Sequence, residues 1–413
     1  MASSRTDRRH FLHGVRVLSF GSFVAGNICN LILAELGADV VKVESRVHPE
    51  ALRSYDTPDR SPAFEPSGVR TTALFAGMTR GLRSACIDMT NEDGRVAFRR
   101  LAEVAHVVVE NLGPGTLASW GCSFDELRSY NPGLVMLSIS GYGATGPMAG
   151  HRAYASNVNN FLGLTSVWAL DGIHFDFVAG THGACAVVAA LAETDRGGPG
   201  VFIDMAEAET GAAIMPGLYL DYLANGREWS AGPNEVPGSL LSAVIRCLGA
   251  DAWVAVELED AGDWERMCSF LERPDLLLGT EEPTPEHRRA LCEAMEAWAG
   301  TMTPFQATHT LQERGLAAGA VQNGEDLWRD AQLRSRGAMV DVAHPDLGVL
   351  EYPDAPVCIG RGHAGTRAGG PRLGEHTADV LREWLSCGDA DVDDLLARTA
   401  IWMPQRGTGS PPD

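Results

Sequence analysis

The sequence predicts an α/β protein: a large domain built on a parallel, doubly wound sheet, together with a smaller α+β domain. Three observations carry that expectation. In the first half of the chain, β-branched runs alternate with stretches of helical spacing, and strands separated by helices imply a parallel sheet. Beyond about residue 206 the texture changes to longer helical segments around two strand-like runs. With 413 residues, the chain is too long for one ordinary core.

Residues 15–20 form the first buried-strand run. Ile28, Leu31, Ile32 and Leu36 then recur at helical spacing, and Gly37 ends that helix before the strand Asp39 to Glu44. Val96, Leu101 and Val104 mark a helix over 94–105, followed by a strand at 106–110. Ser123 with Glu126 reads as a capping box. A strand at 134–140, an Ala-rich helix at 180–193 and a strand at 201–205 complete the first half. Two strand-like runs, 241–248 and 252–258, precede three helical segments. Residues 337–375 read as an extended linker with short strands, and a last helix spans 376–386. The expected division is 10–210 for the first part of the large domain, 211–235 for a linker and 236–325 for the small domain. A linker and the returning part of the large domain take 326–400, and 401–413 form a disordered tail.

Composition excludes several function classes. With 45% hydrophobic and 21% charged residues, the chain reads as a soluble globular protein. A formal charge of −21 repels nucleic acid and anionic membranes, so neither is expected as a partner. Lys42 is the single lysine, so a phosphate clamp would rely on arginine or backbone amides. Nine scattered cysteines without a C-x-x-C pair suggest free thiols in a reducing cytoplasm. No run of eighteen apolar residues suggests a membrane span. Arg8-Arg9-His10-Phe11-Leu12 looks like an export core, but a strand follows it where an apolar stretch and cleavage site belong, so export is not expected.

Several short segments are candidates for chemistry. Gly21 and Gly26 lie in the loop after the first strand, which reads equally as a phosphate-binding turn or an ordinary strand–helix connection. It lacks the G-x-G-x-x-G spacing, so a dinucleotide is not expected. Ser140 to Pro147 holds Gly141, Gly143 and Gly146 just beyond a strand, and reads either as a flexible turn or, since ligands sit there in open α/β sheets, as a ligand-binding loop, the reading favoured here. Asp176 has a phenylalanine on each side and precedes the Ala-rich helix. It reads either as a helix cap or as a poorly solvated, reactive nucleophile. His151, His174 and His182 show no metal-ligand spacing, and no metal is expected. The absence of a G-x-S-x-G elbow argues against a serine hydrolase.

Taken together, these pieces resemble the class III CoA-transferases, from about Gly14 to Leu385. The resemblance is carried by Leu33–Glu44, Thr79–Ser84, Val109–Gly115, Ser138–Gly143, Asp176–Gly180 and Pro371–His376. It implies a Rossmann-like large domain built from both chain ends, a small middle domain and an interlocked homodimer. It also implies transfer of coenzyme A between an acyl-CoA and a carboxylic acid, with CoA as substrate and no permanently bound cofactor. By the same resemblance, Asp176 is the nucleophile that forms an acyl anhydride and then an aspartyl-CoA thioester. Gly141 and Gly143 would stabilise the oxyanion. Gly21, Val24, Ala25, Gly26, Arg46, Arg80, Arg83 and Asn111 would bind CoA, and Tyr142, His151 and Tyr154 would line the substrate pocket.

The chain departs from the family pattern at Asn27, at Leu82 and at Gly113, and the last two replace cations expected near CoA. Arg46, Arg80 or Arg83 would have to substitute. Rival readings are an α-methylacyl-CoA racemase, an acyl-CoA lyase and a non-catalytic acyl-CoA-binding protein. The racemase pairs its aspartate with a histidine; Tyr154 stands at that position here, with His151 three residues away.

Overall fold

The computed structural model describes residues 11–54, 72–165, 172–228, 234, 236, 238–279, 281–344, 346–359, 362–363, 365 and 368–404. Arg8-Arg9-His10, part of the expected linker before residue 236, and the tail from 405 lie outside the described residues.

The chain divides into two compact units. The first takes residues 1–162, 171–217 and 334–413; the second takes 163–170 and 218–333. At the centre of the first unit is a seven-stranded sheet. Its strands are β1 (Arg16–Phe20), β2 (Asp39–Glu44), β3 (Arg83–Ile87), β4 (Val107–Glu110), β5 (Val135–Ser140) and β6 (Phe202–Ala206), all parallel. They run in the order 3-2-1-4-5-6, so the direction of winding reverses between β1 and β4. Such a reversal opens a crevice at the carboxyl ends of the two strands. Val17, Leu18, Val41, Val107, Val108 and Val109 are fully buried because helices cover both faces of the sheet.

One face is covered by α1 (Ala25–Glu35) and, further along, a long helix His174–Thr194; Leu33, Ala179, Ala184 and Val187 fill the space between. The other face carries α2 (Glu92–Val104), capped by the Asn91 side chain, and a C-terminal helix Thr377–Leu385 that contributes Val380, Leu381 and Trp384. The indole of Trp384 donates to Asp39 Oδ2 at 2.8 Å, tying the end of the chain to β2. Short helices α3 (Phe124–Tyr130) and α4 (Ala155–Phe161) precede the long helix, α5 (His174–Thr194). The capping box of Ser123 and Glu126 opens α3 as expected.

Several elements differ from the sequence reading. Helix α5 begins six residues before Gly180, because its first turn packs against α1 and tertiary contact outweighs the local aromatic preference for strand. That helix is long and apolar enough to cross a membrane, contrary to the expectation from sequence, but one face of it lies in the core against α1 and β5. The segment 211–235 is not simply a linker: it holds the end of α6 (Glu207–Ala213) and all of α7 (Pro216–Asn225). Residues 339–353 form an antiparallel hairpin. A helix Asp389–Ala397 follows the expected last one. Ile401–Trp402, assigned to the disordered tail, pairs antiparallel with β3 as the seventh strand.

The second unit has its own core. A three-stranded antiparallel sheet, β7 (Leu241–Arg246), β8 (Trp253–Leu258) and β9 (Ala317–Ala320), packs against α8 (Ala261–Phe270), α9 (Pro285–Ala299) and α10 (Pro304–Gln312). Trp264 is fully buried there and satisfies its indole N–H on Leu276 O at 2.9 Å. The last two helices begin with Thr caps, Thr284 and Thr303, each followed by proline.

Candidate active site

The crevice between β1 and β4 is built by a turn that leaves little freedom. After Phe20 the chain passes through Gly21, Ser22 and Phe23 into α1. Phe23 is left-handed, with φ 51°, a strained conformation for an aromatic residue. Its N–H donates to Glu50 Oε1 at 2.5 Å. Asn111, just beyond β4, holds the turn from the other side: it accepts from Ser22 N–H at 2.6 Å and donates to Ser22 O at 2.7 Å. A Cβ on Gly26 would lie 2.7 Å from Gly21 Cα and 2.8 Å from Asn111 Oδ1, so only glycine fits between turn and clamp.

Lys42, the single lysine, braces this turn from below. It is 2% exposed, pairs with Glu50, and donates to Gly21 O and, at 3.0 Å, to Asn27 Oδ1. Beside it lies a cavity of about 250 Å³ at the carboxyl ends of β1 to β4, lined among others by Gly21, Ser22, Lys42, Glu50, Asp88 and Leu112. Lys42 and Glu50 were missed by sequence reasoning. A lone lysine inside a strand gives no local sign that a glutamate eight residues later will neutralise it.

The nucleophile candidate stands opposite the turn. Asp176 occupies the third position of α5, and its carboxylate is turned toward the Ala25 N–H at the start of α1, which with its own N–H favours the ionised form. Val24, the N-cap of α1, offers no side-chain cap, so Asp176 supplies from another helix the anion that α1 lacks. The approach is close because Gly180 lies one turn on: a Cβ there would meet Ala25 O and Ile28 Cβ at 2.7 Å. Asp176 is 8% exposed. Burial pushes its pKa up to about 6 against the lowering effect of the two backbone N–H groups. At neutral pH it is an ionised carboxylate with few solvating partners, which makes it reactive.

A second carboxyl belongs to the same neighbourhood. Glu207 opens α6 directly after β6 and is 8% exposed. Burial, and secondarily the charge of Asp176, push its pKa up to about 7. Sequence reasoning passed over it; the only available signal was its place at the carboxyl end of a parallel strand.

The remaining predicted residues divide into two groups. Gly141 and Gly143 lie between β5 and α4; Gly141 O accepts the Ala208 N–H of α6 at 3.0 Å, and Gly143 has φ +87°. The next amide, Ala144, is held by Asp204 at 2.9 Å. Tyr142 packs edge-on against Phe161 at 5.3 Å, and Tyr154 against Phe23 at 5.4 Å, which brings Tyr154 to the Gly21 turn. His151 is exposed. Arg46 follows β2 at the crevice end of the sheet, exposed, 5.3 Å above the Trp402 ring. Arg80 and Arg83 are engaged elsewhere. Arg80 pairs with Glu35 at 2.5 Å at the far end of α1 and also bonds Gly77 O. Arg83 begins β3, at the strand end away from the crevice, and pairs with Asp39 at 3.0 Å and Glu383 at 2.8 Å. Of the three arginines offered as replacements for the family's cations, Arg46 alone faces the crevice end. Among the described residues, no group of three His, Cys, Asp or Glu side chains is arranged to hold a metal ion.

The chain as a whole is similar to known proteins. The profile of CoA-transferase family III matches residues 12–377. A probable CoA-transferase from Mycobacterium tuberculosis is 31% identical over 95% of this chain; the match covers 50% of that protein, so the chain spans half its length. A succinyl-CoA–D-citramalate CoA-transferase from Chloroflexus aurantiacus is 27% identical over 97% of this chain and 100% of its own. The crystal structure of a CaiB/BaiF family protein from Brucella suis aligns with a TM-score of 0.79 at 26% identity, covering 90% of this chain and 99% of that one. The extent of these matches, over a reversed parallel sheet with a buried aspartate at its crevice, places the chain in CoA-transferase family III.

Proposed function

We propose that this chain moves coenzyme A from an acyl-CoA thioester to a carboxylic acid, with Asp176 as the covalent carrier. The observation that carries the reading is the Asp176 carboxylate, buried beside the Ala25 N–H at the start of α1. Its oxygen attacks the thioester carbon, the C–S bond breaks, and CoA leaves as thiolate with an acyl-aspartyl anhydride in place. The thiolate attacks the aspartyl carbonyl, releasing the first acid and forming an aspartyl-CoA thioester. The acceptor carboxylate attacks in turn, and the thiolate returns to its acyl carbon through a second anhydride. Each anhydride conserves the energy of the thioester.

The crevice suits the other parts of this chemistry. Backbone amides of the Gly141–Gly143 loop would stabilise the tetrahedral oxyanions. The turn Gly21–Gly26 offers the start of α1 to the CoA chain, and Arg46 is the cation for its phosphates. The Chloroflexus relative is named for succinyl-CoA, which makes succinyl-CoA the first donor to test. For assembly, α7 supports a homodimer: none of its residues is buried, and Leu220 and Leu223 are 62% and 78% exposed. An apolar helix in that state calls for a partner. Nine scattered cysteines without a C-x-x-C pair fit a reducing cytoplasm.

Asp176→Asn tests the reading. The amide keeps the shape and the bond to Ala25 while removing the nucleophile. Transfer from succinyl-CoA to a panel of dicarboxylic acids, followed by chromatography of the CoA esters, is expected to fall by about a thousandfold or more, on the order of 4 kcal/mol in activation energy. Undiminished transfer by Asp176→Asn would overturn it.

A further inference from the structure

The segment Pro371–His376 has no part in the chemistry above. In the fold it covers the outer edge of β3. That strand has β2 on one side, but on the other only Ile401 and Trp402, opposite Ile87 and Cys86. Three amides of the outer edge are satisfied there. Asp88 N–H donates to Ala400 O at 2.9 Å, a backbone partner. The other two are met by side chains: Cys86 N–H donates to Thr377 Oγ1 at 3.0 Å, and Ser84 N–H to His376 Nδ1 at 3.3 Å. In return, His376 N–H donates to Ser84 O at 2.9 Å. Two side chains thus stand in for a strand along an edge that would otherwise present unpaired amides.

The same segment is tied to the crevice. Gly374 N–H donates to Ser84 Oγ at 2.8 Å, and the Ser84 hydroxyl donates to Glu44. Arg53 joins Glu44 Oε1 at 2.8 Å to Pro371 O at 2.9 Å, and Glu44 lines the cavity beside Lys42. The two side chains on the edge differ in one respect. The Thr377 hydroxyl accepts at every pH, whereas His376 Nδ1 accepts only while the ring is neutral. A proton there would set a donor against the Ser84 N–H. It would also put a cation at the N-cap of the helix Thr377–Leu385, where the helix dipole opposes it. Burial is the largest influence on the ring and holds it below the usual histidine range. Glu375, Asp379 and Asp39 favour a proton, and Arg83 opposes it. Arg83 is itself paired with Asp39 and Glu383, and Arg382 with Asp389. On α2, which packs against the same helix, Glu92 pairs with Arg95 and Arg99, Asp93 pairs with Arg398, and Arg100 and Glu103 are exposed.

We propose that His376 is a pH-sensitive latch on the edge of the main sheet: the neutral ring holds segment 371–377 closed on β3, and protonation releases it. Release uncovers the Ser84 amide, parts Gly374 from the Ser84 hydroxyl and loosens the hold of the returning segment on the Glu44 network. The sign follows from the bond. In the open state the ring takes a proton at its ordinary value of about 6.5, and in the closed state only at a lower pH. Closure is therefore fully present above that value and is lost as pH falls through the window below it. The latch is independent of which reaction the crevice carries out.

The test is hydrogen exchange of the full chain, read by mass spectrometry at about pH 7.5 and 5, with exchange times scaled for the intrinsic effect of pH. In wild type, the peptide spanning β3 should lose protection by about tenfold at the lower pH, while the peptide spanning β5 keeps its own. In His376→Asn the side-chain oxygen stands near the place of Nδ1 and accepts the Ser84 N–H without titrating. Protection of β3 in that variant should be the same at both pH values. Unchanged protection of β3 in wild type, an equal loss in β5, or an equal loss in His376→Asn overturns the inference. Should the variant be unprotected at both pH values, wild type still decides. The His376 ring, followed by NMR of protein carrying carbon-13 in its histidines and assigned by its absence from the variant, has to titrate at the midpoint of the exchange change. A different midpoint overturns the latch.

Discussion

At the scale of single residues, the chemistry turns on a carboxylate that is costly to keep. The pKa of Asp176 is raised by burial, so between its unfolded value near 4 and its folded value of about 6 the native state holds a proton that the unfolded state has released. Stability therefore falls as pH rises through that window, and the deficit persists above it. Asp176→Asn removes the ionisation while keeping an acceptor for Ala25 N–H. Thermal unfolding should show the variant close to wild type at pH 4 and more stable at pH 8, by an amount on the order of 2 kcal/mol. Equal differences at both pH values would mean that Asp176 is not the buried anion described here. Sequence identified Asp176 through its phenylalanine neighbours and the family pattern, but left open whether it is a cap or a nucleophile. The structure shows why local spacing could not decide. The backbone that bears on Asp176 is the start of α1, about 150 positions earlier in the chain.

At the scale of elements, the reactive crevice depends on one turn and its braces. Strand β2 delivers Lys42 beneath Gly21, and Glu50 receives Lys42, the strained Phe23 N–H and the Asn27 side chain together. Breaking a buried pair leaves the remaining charge without compensation, which costs about 3–5 kcal/mol. Lys42→Met should lower the denaturation midpoint accordingly, and adding Glu50→Gln should recover part of the loss. A Lys42→Met protein as stable as wild type would show that the pair does not hold the turn. The strands and helices of the first half were legible because their apolar residues follow clear periods. What stayed hidden were contacts of long sequence separation. Arg80 and Arg83 read as free cations in sequence, yet Glu35, Asp39 and Glu383 claim them in space. The first turn of α5 and the strand Ile401–Trp402 likewise exist because of what they pack against.

At the scale of the whole molecule, the first unit takes residues from both ends of the chain and the second from the middle. The exposed apolar residues of α7 support the proposed interlocked homodimer. Threaded subunits cannot exchange without unfolding. Native mass spectrometry of a mixture of isotope-labelled and unlabelled protein should therefore show only the two parental dimers after days at ambient temperature; mixed dimers or free monomer would contradict the threading. The central claim, that Asp176 carries the acyl and CoA groups, is tested most directly by trapping. Protein incubated with succinyl-CoA, quenched with hydroxylamine and digested should yield the peptide containing Asp176 as its hydroxamate. It should yield no such product from Asp176→Asn. A wild-type peptide that stays unmodified while CoA is transferred to the acceptor would contradict the account.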